Sequence, residues 1–241
     1  MQPNHLYESP AFRSVTGLTI RPGGFTLTQK ALSICDFPAG APLLDVGCGL
    51  GATVSYLRRR HGFQAVGVDA SAELIREGRE NNNDADLILG QAELLPFPDR
   101  EFAGVFCECV LSIVPDPEVV LSEILRVLKP GGRLVLTDLY ARNPKLAPGL
   151  NGRSDSNCLE GARSRDVVLK TITSAGFQVL IWEDHSDLLK QLAAQMAWVY
   201  GSLDRFYSMV GAESCDGMVC NDVRRARPGY FLVVAQKEAV V

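Results

Sequence analysis

Between Leu43 and Leu139 the chain alternates short apolar runs with segments of helical periodicity, and this alternation constrains its fold more than any other feature. Ser71 is a good N-cap for one of the intervening helices, and Asp116 with Pro117 begins another. The apolar runs predict strands at residues 43–46, 64–68, 86–89, 103–107 and 133–137. Strands that alternate with helices in this way predict a parallel sheet with helices on both faces.

The last third of the chain predicts a different arrangement. Ser164 caps a helix that ends at Gly176, and residues 177–182 and 229–235 are predicted strands. Between these strands, a long helix from Asp187 carries one apolar stripe: Leu188, Leu192, Met196, Val199, Leu203, Phe206 and Val210. We therefore expect a single domain with these parts: an N-terminal cap (1–40), a core (41–183), a helical insertion (184–228), and a last strand with its tail (229–241).

Composition restricts the class of function. The 241 residues carry 24 Lys and Arg against 28 Asp and Glu, a net charge of −4, which disfavours a nucleic-acid partner. No apolar run reaches the roughly 18 residues of a membrane span, and the first residues lack the pattern of a signal peptide. Seven cysteines in such a chain suggest reduced thiols in the cytoplasm. We expect a small-molecule partner and no membrane partner, while the oligomeric state stays open.

The sharpest motif is a glycine-rich loop, Asp45-Val46-Gly47-Cys48-Gly49-Leu50-Gly51, at the end of the first predicted strand. Glycines there allow a tight turn and a close approach of the backbone to a ligand. Asp69 ends the second strand, where a carboxylate can accept both hydroxyls of a ribose. Residues 90–93 follow the third strand, and residues 128–132 precede the fifth.

A nicotinamide dinucleotide site is the rival interpretation of this loop. The dinucleotide fingerprint is G-x-G-x-x-G, whereas here the third glycine comes one residue early and an acidic residue precedes the first. A P-loop is excluded because the sequence contains no Gly-Lys-Ser/Thr. We therefore favour a different adenosyl cofactor.

Together these segments resemble the class I S-adenosylmethionine-dependent methyltransferases. The resemblance implies an α/β, Rossmann-like, doubly wound sheet of seven mostly parallel strands with the last strand antiparallel. It implies S-adenosylmethionine as the cofactor, with its amino group near Asp45, its ribose on Asp69 and its adenine edge at the backbone of Ala92. Many relatives carry aspartate at the position of Gln91, where an amide can also bond adenine. The residues it places beside the cofactor are Asp45, Gly47, Cys48, Gly49, Gly51, Asp69, Ala70, Gln91, Ala92, Glu93 and Cys107.

Within this family, the segments around Cys109 and Cys158 resemble the arsenite methyltransferase branch. That resemblance implies that both thiols bind trivalent arsenic, a soft centre that suits thiolate ligands. A further cysteine common in that branch is absent after the glycine loop, and Cys215 and Cys220 could supply it or stay free. Each thiol has an ordinary alternative as a small buried hydrophobe, which we favour for Cys35, Cys48 and Cys107.

The other candidate catalytic residues do not identify the methyl acceptor. Glu108 and Asp138 end adjacent strands and could act as a base, or they could cap local structure. Histidines or C-x-x-C pairs at zinc spacing are absent, so we expect no metal. The predicted enzyme therefore methylates a small molecule, either arsenite or an organic acceptor at carbon, oxygen or nitrogen, as in quinone biosynthesis. A non-catalytic S-adenosylmethionine-binding module in a redox complex is the remaining alternative.

Overall fold

A computed structural model describes residues 5–82, 85–143, 145, 159, 161–203, 205 and 225–239. The strands of the described chain are β1 Pro42–Val46, β2 Gln64–Asp69, β3 Asp86–Leu89, β4 Phe102–Glu108, β5 Leu128–Ala141, β6 Arg163–Ser164, β7 Phe177–Asp184 and β8 Pro228–Lys237. The helices are α1 His5–Glu8, α2 Pro10–Thr16, α3 Thr26–Cys35, α4 Ala52–His61, α5 Ala72–Asn81, α6 Pro117–Val127, α7 Arg165–Ser174 and α8 Ser186–Tyr200, with a 3₁₀ turn at Gly17–Thr19.

These strands form one sheet in the order β3-β2-β1-β4-β5-β8-β7. The strands from β3 to β5 pair in parallel, and β8 runs antiparallel to both of its neighbours. The predicted doubly wound sheet with an antiparallel last strand is therefore confirmed. Chain order reverses between β1 and β4, and open α/β sheets bind ligands at such a reversal, beyond the carboxyl ends of the strands.

Two differences from the predicted elements have local causes. The fifth strand begins earlier than predicted, because Leu128 already pairs with Phe102 and an irregularity in the ladder follows before Gly104 pairs with Arg133. Two residues at β6 add a short strand beside the end of β5, which makes eight strands rather than seven in the described chain. Neither difference changes the carboxyl edge of the sheet.

Side-chain caps begin the helices where the sequence predicts them. Ser71 accepts the N–H of Leu74 at the start of α5, and Ser164 accepts that of Val167 at the start of α7. Asp116 does the same at α6. The prediction for α8 was wrong in part: the helix ends at Tyr200, Gly201 follows with a φ of 83°, and Val199 is 56% exposed. Residues 206–210 of the predicted stripe lie outside the described residues.

Buried side chains cover both faces of the sheet. One cluster packs α6 and α7 on the sheet, and a second packs α3, α4 and α5 on the opposite face. A third, smaller cluster joins the N-terminal residues Tyr7 and Phe12 to Leu192 and Met196 of α8. The beginning of the chain and α8 therefore pack together. In the part of the chain that the structure describes, no helix has the length and apolar character needed to cross a membrane.

Candidate functional site

A cavity of about 880 Å³ lies at the carboxyl ends of β1, β2 and β4. The N-terminal segment covers part of it, since Tyr7, Glu8 and residues 18–21 are among its lining residues. The volume falls within the range of roughly 300–1,000 Å³ that is typical of small-molecule sites. The cavity therefore lies where the reversal of strand order predicts a ligand.

The glycine loop forms one wall of this cavity. The N–H groups of Gly47 and Cys48 both donate to the carbonyl of Val68, at 2.8 and 3.1 Å, which holds the loop against β2. Gly47 has a φ of 72°, and a Cβ there would lie 2.2 Å from a methyl carbon of Val110. Only glycine fits both the backbone conformation and this contact. The loop thus presents bare backbone to the cavity.

Asp69, at the end of β2, is held by two backbone donors. Its Oδ2 accepts the N–H of Gly49 at 2.7 Å, and its Oδ1 accepts that of Ser71 at 2.8 Å. A carboxylate has about four acceptor positions, so each oxygen keeps capacity for a ligand hydroxyl. Burial raises the pKa of Asp69, although the two N–H groups oppose the rise. This geometry suits a ligand with two adjacent hydroxyls, such as a ribose.

Asp45 lies at the end of β1 and lines the cavity. Its side chain is only 3% exposed, and it accepts no hydrogen bond from the residues that the structure describes. Burial raises the pKa of Asp45 well above its usual range, and Glu108 raises it further, while Arg21 acts in the opposite direction. A buried carboxylate without a hydrogen-bond donor is costly, and a cationic ligand would offset that cost.

A buried ion pair lies beside Asp45. Arg21 Nη2 is 3.0 Å from Glu108 Oε2, and the Glu108 carboxylate also accepts hydrogen bonds from Thr28 and Thr53. Burial would lower the pKa of Arg21, but Glu108 and the other negative groups nearby raise it, so the guanidinium stays charged. Glu108 is therefore occupied as an ion-pair partner, and this placement does not support a free base there. The sequence analysis missed Arg21.

Cys109 lies just beyond β4 and lines the cavity. It has a φ of 61°, unusual for a residue with a side chain, and its N–H donates to the carbonyl of Thr137 at 2.7 Å. Its Sγ is 3.5 Å from the buried hydroxyl of Tyr230, which also donates to Thr137 Oγ1 at 3.0 Å. Tyr230 therefore fixes the position of the thiol.

The structure brings together most of the residues predicted to contact the cofactor. Those that line the cavity are Asp45, Gly47, Cys48, Gly49, Asp69, Ala70, Ala92 and Glu93, and the candidate catalytic residues Glu108 and Cys109 line it too. Sequence reasoning missed the lining residues from the N-terminal segment and from residues 113–115, for which the sequence contains no motif. These are mostly apolar side chains whose place depends on tertiary packing.

Other predicted site residues lie elsewhere. Cys107 is fully buried in the core, and Gly51 is the N-cap residue before α4, where a Cβ would meet Leu87. Gln91 is exposed and forms an isolated bridge with Leu94. None of the three is among the residues that line the cavity, so their contact with the cofactor stays a prediction. Cys158, Cys215 and Cys220 lie outside the described residues.

Asp138 also lies outside the cavity. Its carboxylate accepts three hydrogen bonds, from the N–H and hydroxyl of Ser112 and from the N–H of Leu139, at 2.6 to 2.9 Å. Burial raises the pKa of Asp138 to about 6, although these bonds oppose the rise. Its position supports the capping alternative rather than that of a base.

Replacing Asp138 with alanine tests this interpretation. We expect the free energy of unfolding to fall by about 2–3 kcal/mol, because buried donors lose their acceptor, while cofactor affinity stays within about twofold. Because folding raises the pKa of Asp138, protonation of this carboxyl stabilises the folded state. This stabilisation is fully present below about pH 3.8 and is lost as the pH rises through about 6. The variant's deficit in urea denaturation should therefore be larger near pH 5 than near pH 8. A large loss of cofactor affinity in a folded variant would contradict the capping role.

Comparison with known proteins agrees with this geometry. Residues 44–136 match the family model described as a methyltransferase domain. The chain is 29% identical over 164 residues to 24-methylenesterol C-methyltransferase 2 of Oryza sativa subsp. japonica, covering 63% of this chain and 45% of the relative. It is 31% identical over 150 residues to arsenite methyltransferase of Halobacterium salinarum, covering 58% of this chain and 38% of the relative. The chain thus spans less than half the length of these relatives.

A solved structure extends the similarity beyond the matched domain. The crystal structure of the [4+2]-cyclase SpnF superposes with a TM-score of 0.77 at 25% sequence identity, covering 98% of this chain and 94% of that one. These findings confirm the predicted fold class and the predicted cofactor, S-adenosylmethionine. Residues 44–136 are therefore a methyltransferase domain, and they are similar to those of the class I S-adenosylmethionine-dependent methyltransferases.

Proposed function

We propose that this chain is an enzyme that transfers the methyl group of S-adenosylmethionine to a small molecule held in the cavity beneath the N-terminal segment. The observation that carries the proposal is Asp45, a carboxylate that is 97% buried, lines the cavity and lacks a hydrogen-bond donor among the described residues. The cofactor supplies an ammonium group and a positively charged sulfonium, which complement such a carboxylate.

The other residues of the cavity have roles that fit this cofactor. Asp69 would accept the ribose hydroxyls with the lone pairs that Gly49 and Ser71 leave free. Gly47 leaves space for the methionine part, and Ala92 and Glu93 would meet the adenine edge. The cofactor supplies an already activated methyl group, so the protein's task is to align the acceptor and exclude water.

We also propose that residues 1–40 and the insertion act with the core as one domain. The packing of Tyr7 and Phe12 on Leu192 and Met196 supports this arrangement. A cytoplasmic location belongs to the same proposal. It is supported by the free, buried thiols of Cys35, Cys48 and Cys107.

Calorimetry and a transfer assay test the proposal. We expect S-adenosylmethionine to bind and NAD not to bind, and Asp69→Ala to weaken the cofactor by about 1.5–3 kcal/mol, the range of charge-assisted hydrogen bonds. Asp86→Ala is a suitable control, because Asp86 is exposed at the start of β3. Tight binding of NAD would overturn the proposal, and unchanged affinity in Asp69→Ala would remove Asp69 from the ribose site.

Arsenite is the first acceptor to test, because Cys109 lines the cavity and the arsenite methyltransferase of Halobacterium salinarum is a relative. A thiolate could hold As(III) with its lone pair directed at the methyl carbon. Cys48 also lines the cavity, but burial and the charge of Asp45 raise the pKa of its thiol, which disfavours the thiolate. Among the described residues, no cluster of three metal-binding side chains forms.

The arsenite hypothesis predicts a specific effect of one cysteine. With labelled S-adenosylmethionine, arsenite and a thiol reductant, we expect methylated arsenic from the wild type and at least a tenfold loss in Cys109→Ser. Cys35→Ser is the matched control, since Cys35 is a buried thiol at the end of α3 that does not line the cavity. Full activity in Cys109→Ser would exclude Cys109 as a ligand.

An organic acceptor is the alternative if no arsenic product forms. The sterol methyltransferase relative shows that this domain family also includes carbon methyltransferases. Cofactor binding without transfer to any acceptor would instead favour the non-catalytic module. It would also favour a reaction that moves no methyl group, for which the similarity to a [4+2]-cyclase is the precedent.

A further inference from the structure

Acidic side chains strongly outnumber basic ones in the described lining of the cavity. Its described lining contains a single basic side chain, Arg21, and six acidic ones: Glu8, Asp45, Asp69, Glu73, Glu93 and Glu108. Glu8, Asp45 and Asp69 come from three different elements, so the excess belongs to the cavity as a whole. A cavity with this balance attracts cations and repels anions.

Arg21, the one basic side chain of the described lining, already has hydrogen-bond and ion-pair partners within the protein. Arg21 directs Nε at the carbonyl of Gly24, Nη1 at Thr53, and Nη2 at both Thr28 and Glu108. Four of its five N–H groups therefore have partners within the protein. A phosphate or carboxylate that entered the cavity would have to displace Glu108 to form a bidentate pair with this guanidinium at Nη2.

Part of the remaining lining is apolar, although Tyr7, Thr19, Thr53 and Ser71 also line the cavity. The loop after β4 contributes Val110 and residues 113–115, and the N-terminal segment contributes Leu18 and Ile20. These apolar side chains gain free energy when they cover an apolar part of a ligand. About 880 Å³ gives space for an acceptor beside the cofactor.

We infer that the methyl acceptor of this enzyme carries no negative charge, and that the cavity excludes phosphorylated and carboxylated acceptors. The inference rests on the proposed function and narrows its substrate class. The positively charged cofactor neutralises part of the acidic lining. The negative charge that remains on the lining acts on the methyl acceptor. Uncharged arsenite, sterols and hydroquinones remain within this class, whereas phosphate esters do not.

A matched pair of probes tests the inference without knowledge of the natural acceptor. Calorimetry on the full chain saturated with S-adenosylhomocysteine would compare 1-naphthol with 1-naphthyl phosphate, which share the ring and differ in charge. We expect 1-naphthol to bind at least tenfold more tightly, equivalent to about 1.4 kcal/mol. Equal or tighter binding of the phosphate, or binding of neither probe, would overturn the inference.

A charge-neutral variant identifies the cause of the selectivity. Glu8→Gln removes a lining charge while its amide oxygen can still accept the hydrogen bond that Ser71 donates to Glu8 at 2.6 Å. We expect it to tighten 1-naphthyl phosphate by about threefold and to leave 1-naphthol unchanged, an effect of the size expected for one nearby charge. Glu118→Gln, on the exposed side of α6, should change neither. An identical response of both variants would contradict electrostatic exclusion.

S-Adenosylmethionine binding to the same samples keeps the two proposals separate. A chain that fails to bind the cofactor would overturn the proposed function. A chain that binds the cofactor yet prefers 1-naphthyl phosphate would overturn the acceptor class alone.

Discussion

Asp45→Asn is expected to weaken S-adenosylmethionine binding about 10- to 100-fold while leaving the protein as stable as the wild type or more stable. The binding loss follows because a charge-assisted hydrogen bond to the cofactor's ammonium group is worth about 1.5–3 kcal/mol. The stability gain follows because burial and Glu108 already raise the pKa of Asp45, so its ionised form is unfavourable in the empty cavity. Calorimetry and urea denaturation would measure the two opposite effects.

The pH dependence of binding gives a second readout of Asp45. As the pH falls, protonated Asp45 is favoured in the free protein and loses its attraction for a cation. The wild-type affinity for S-adenosylmethionine should therefore fall as the pH is lowered, more steeply than that of Asp45→Asn. Asp86→Asn, at an exposed position of β3, should follow the wild-type curve. Parallel curves for all three proteins would exclude Asp45 as the ligand of the ammonium group.

Breaking the Arg21–Glu108 ion pair is expected to have the largest effect on stability. Removing one partner of a buried pair typically costs about 3–5 kcal/mol, because the other charge stays buried without compensation. We therefore expect Arg21→Met and Glu108→Met each to lower the free energy of unfolding by this amount. The double variant should lie closer to the wild type than either single variant.

Arg76 and Glu80 provide a matched control for this double-mutant cycle. They form an ion pair at 2.9 Å on the surface of α5, where both side chains are more than half exposed. Exposed pairs of this kind contribute less than about 1 kcal/mol, so Arg76→Met and Glu80→Met should change little. If the two cycles gave the same coupling energy, the buried pair would have no special role in holding the N-terminal segment.

The part of the site that lies on the strands could be predicted because its signals are local. Asp45 and Asp69 each follow an apolar strand, and a glycine at Gly47 marks a backbone conformation that few other residues adopt. The helix N-caps at Ser71, Asp116 and Ser164 could be predicted for the same reason. Each of these signals depends on a few adjacent residues, and parallel strands then bring their ends to one edge of the sheet.

The part of the site that comes from the N-terminal segment could not be predicted in the same way. Arg21 reaches Glu108 across 87 residues of sequence, and nothing in Arg21-Pro22-Gly23-Gly24 specifies that partner. Asp138 shows the converse problem. In the sequence, Asp138 and Glu108 look alike because each ends a predicted strand. In the structure, Asp138 lies on the strand next to that of Glu108, and its hydrogen bonds from Ser112 identify it as a capping carboxylate.

The occupied carboxylate of Glu108 has a consequence for the chemistry of the acceptor. With Glu108 paired to Arg21, and Asp138 bonded to Ser112 and Leu139, neither of the two predicted bases is available to remove a proton from the acceptor. An acceptor whose electron pair is already available needs neither of these two carboxylates. We expect the pH–rate profile to follow the acidity of each acceptor tested, so that the acceptor rather than the protein sets the optimum.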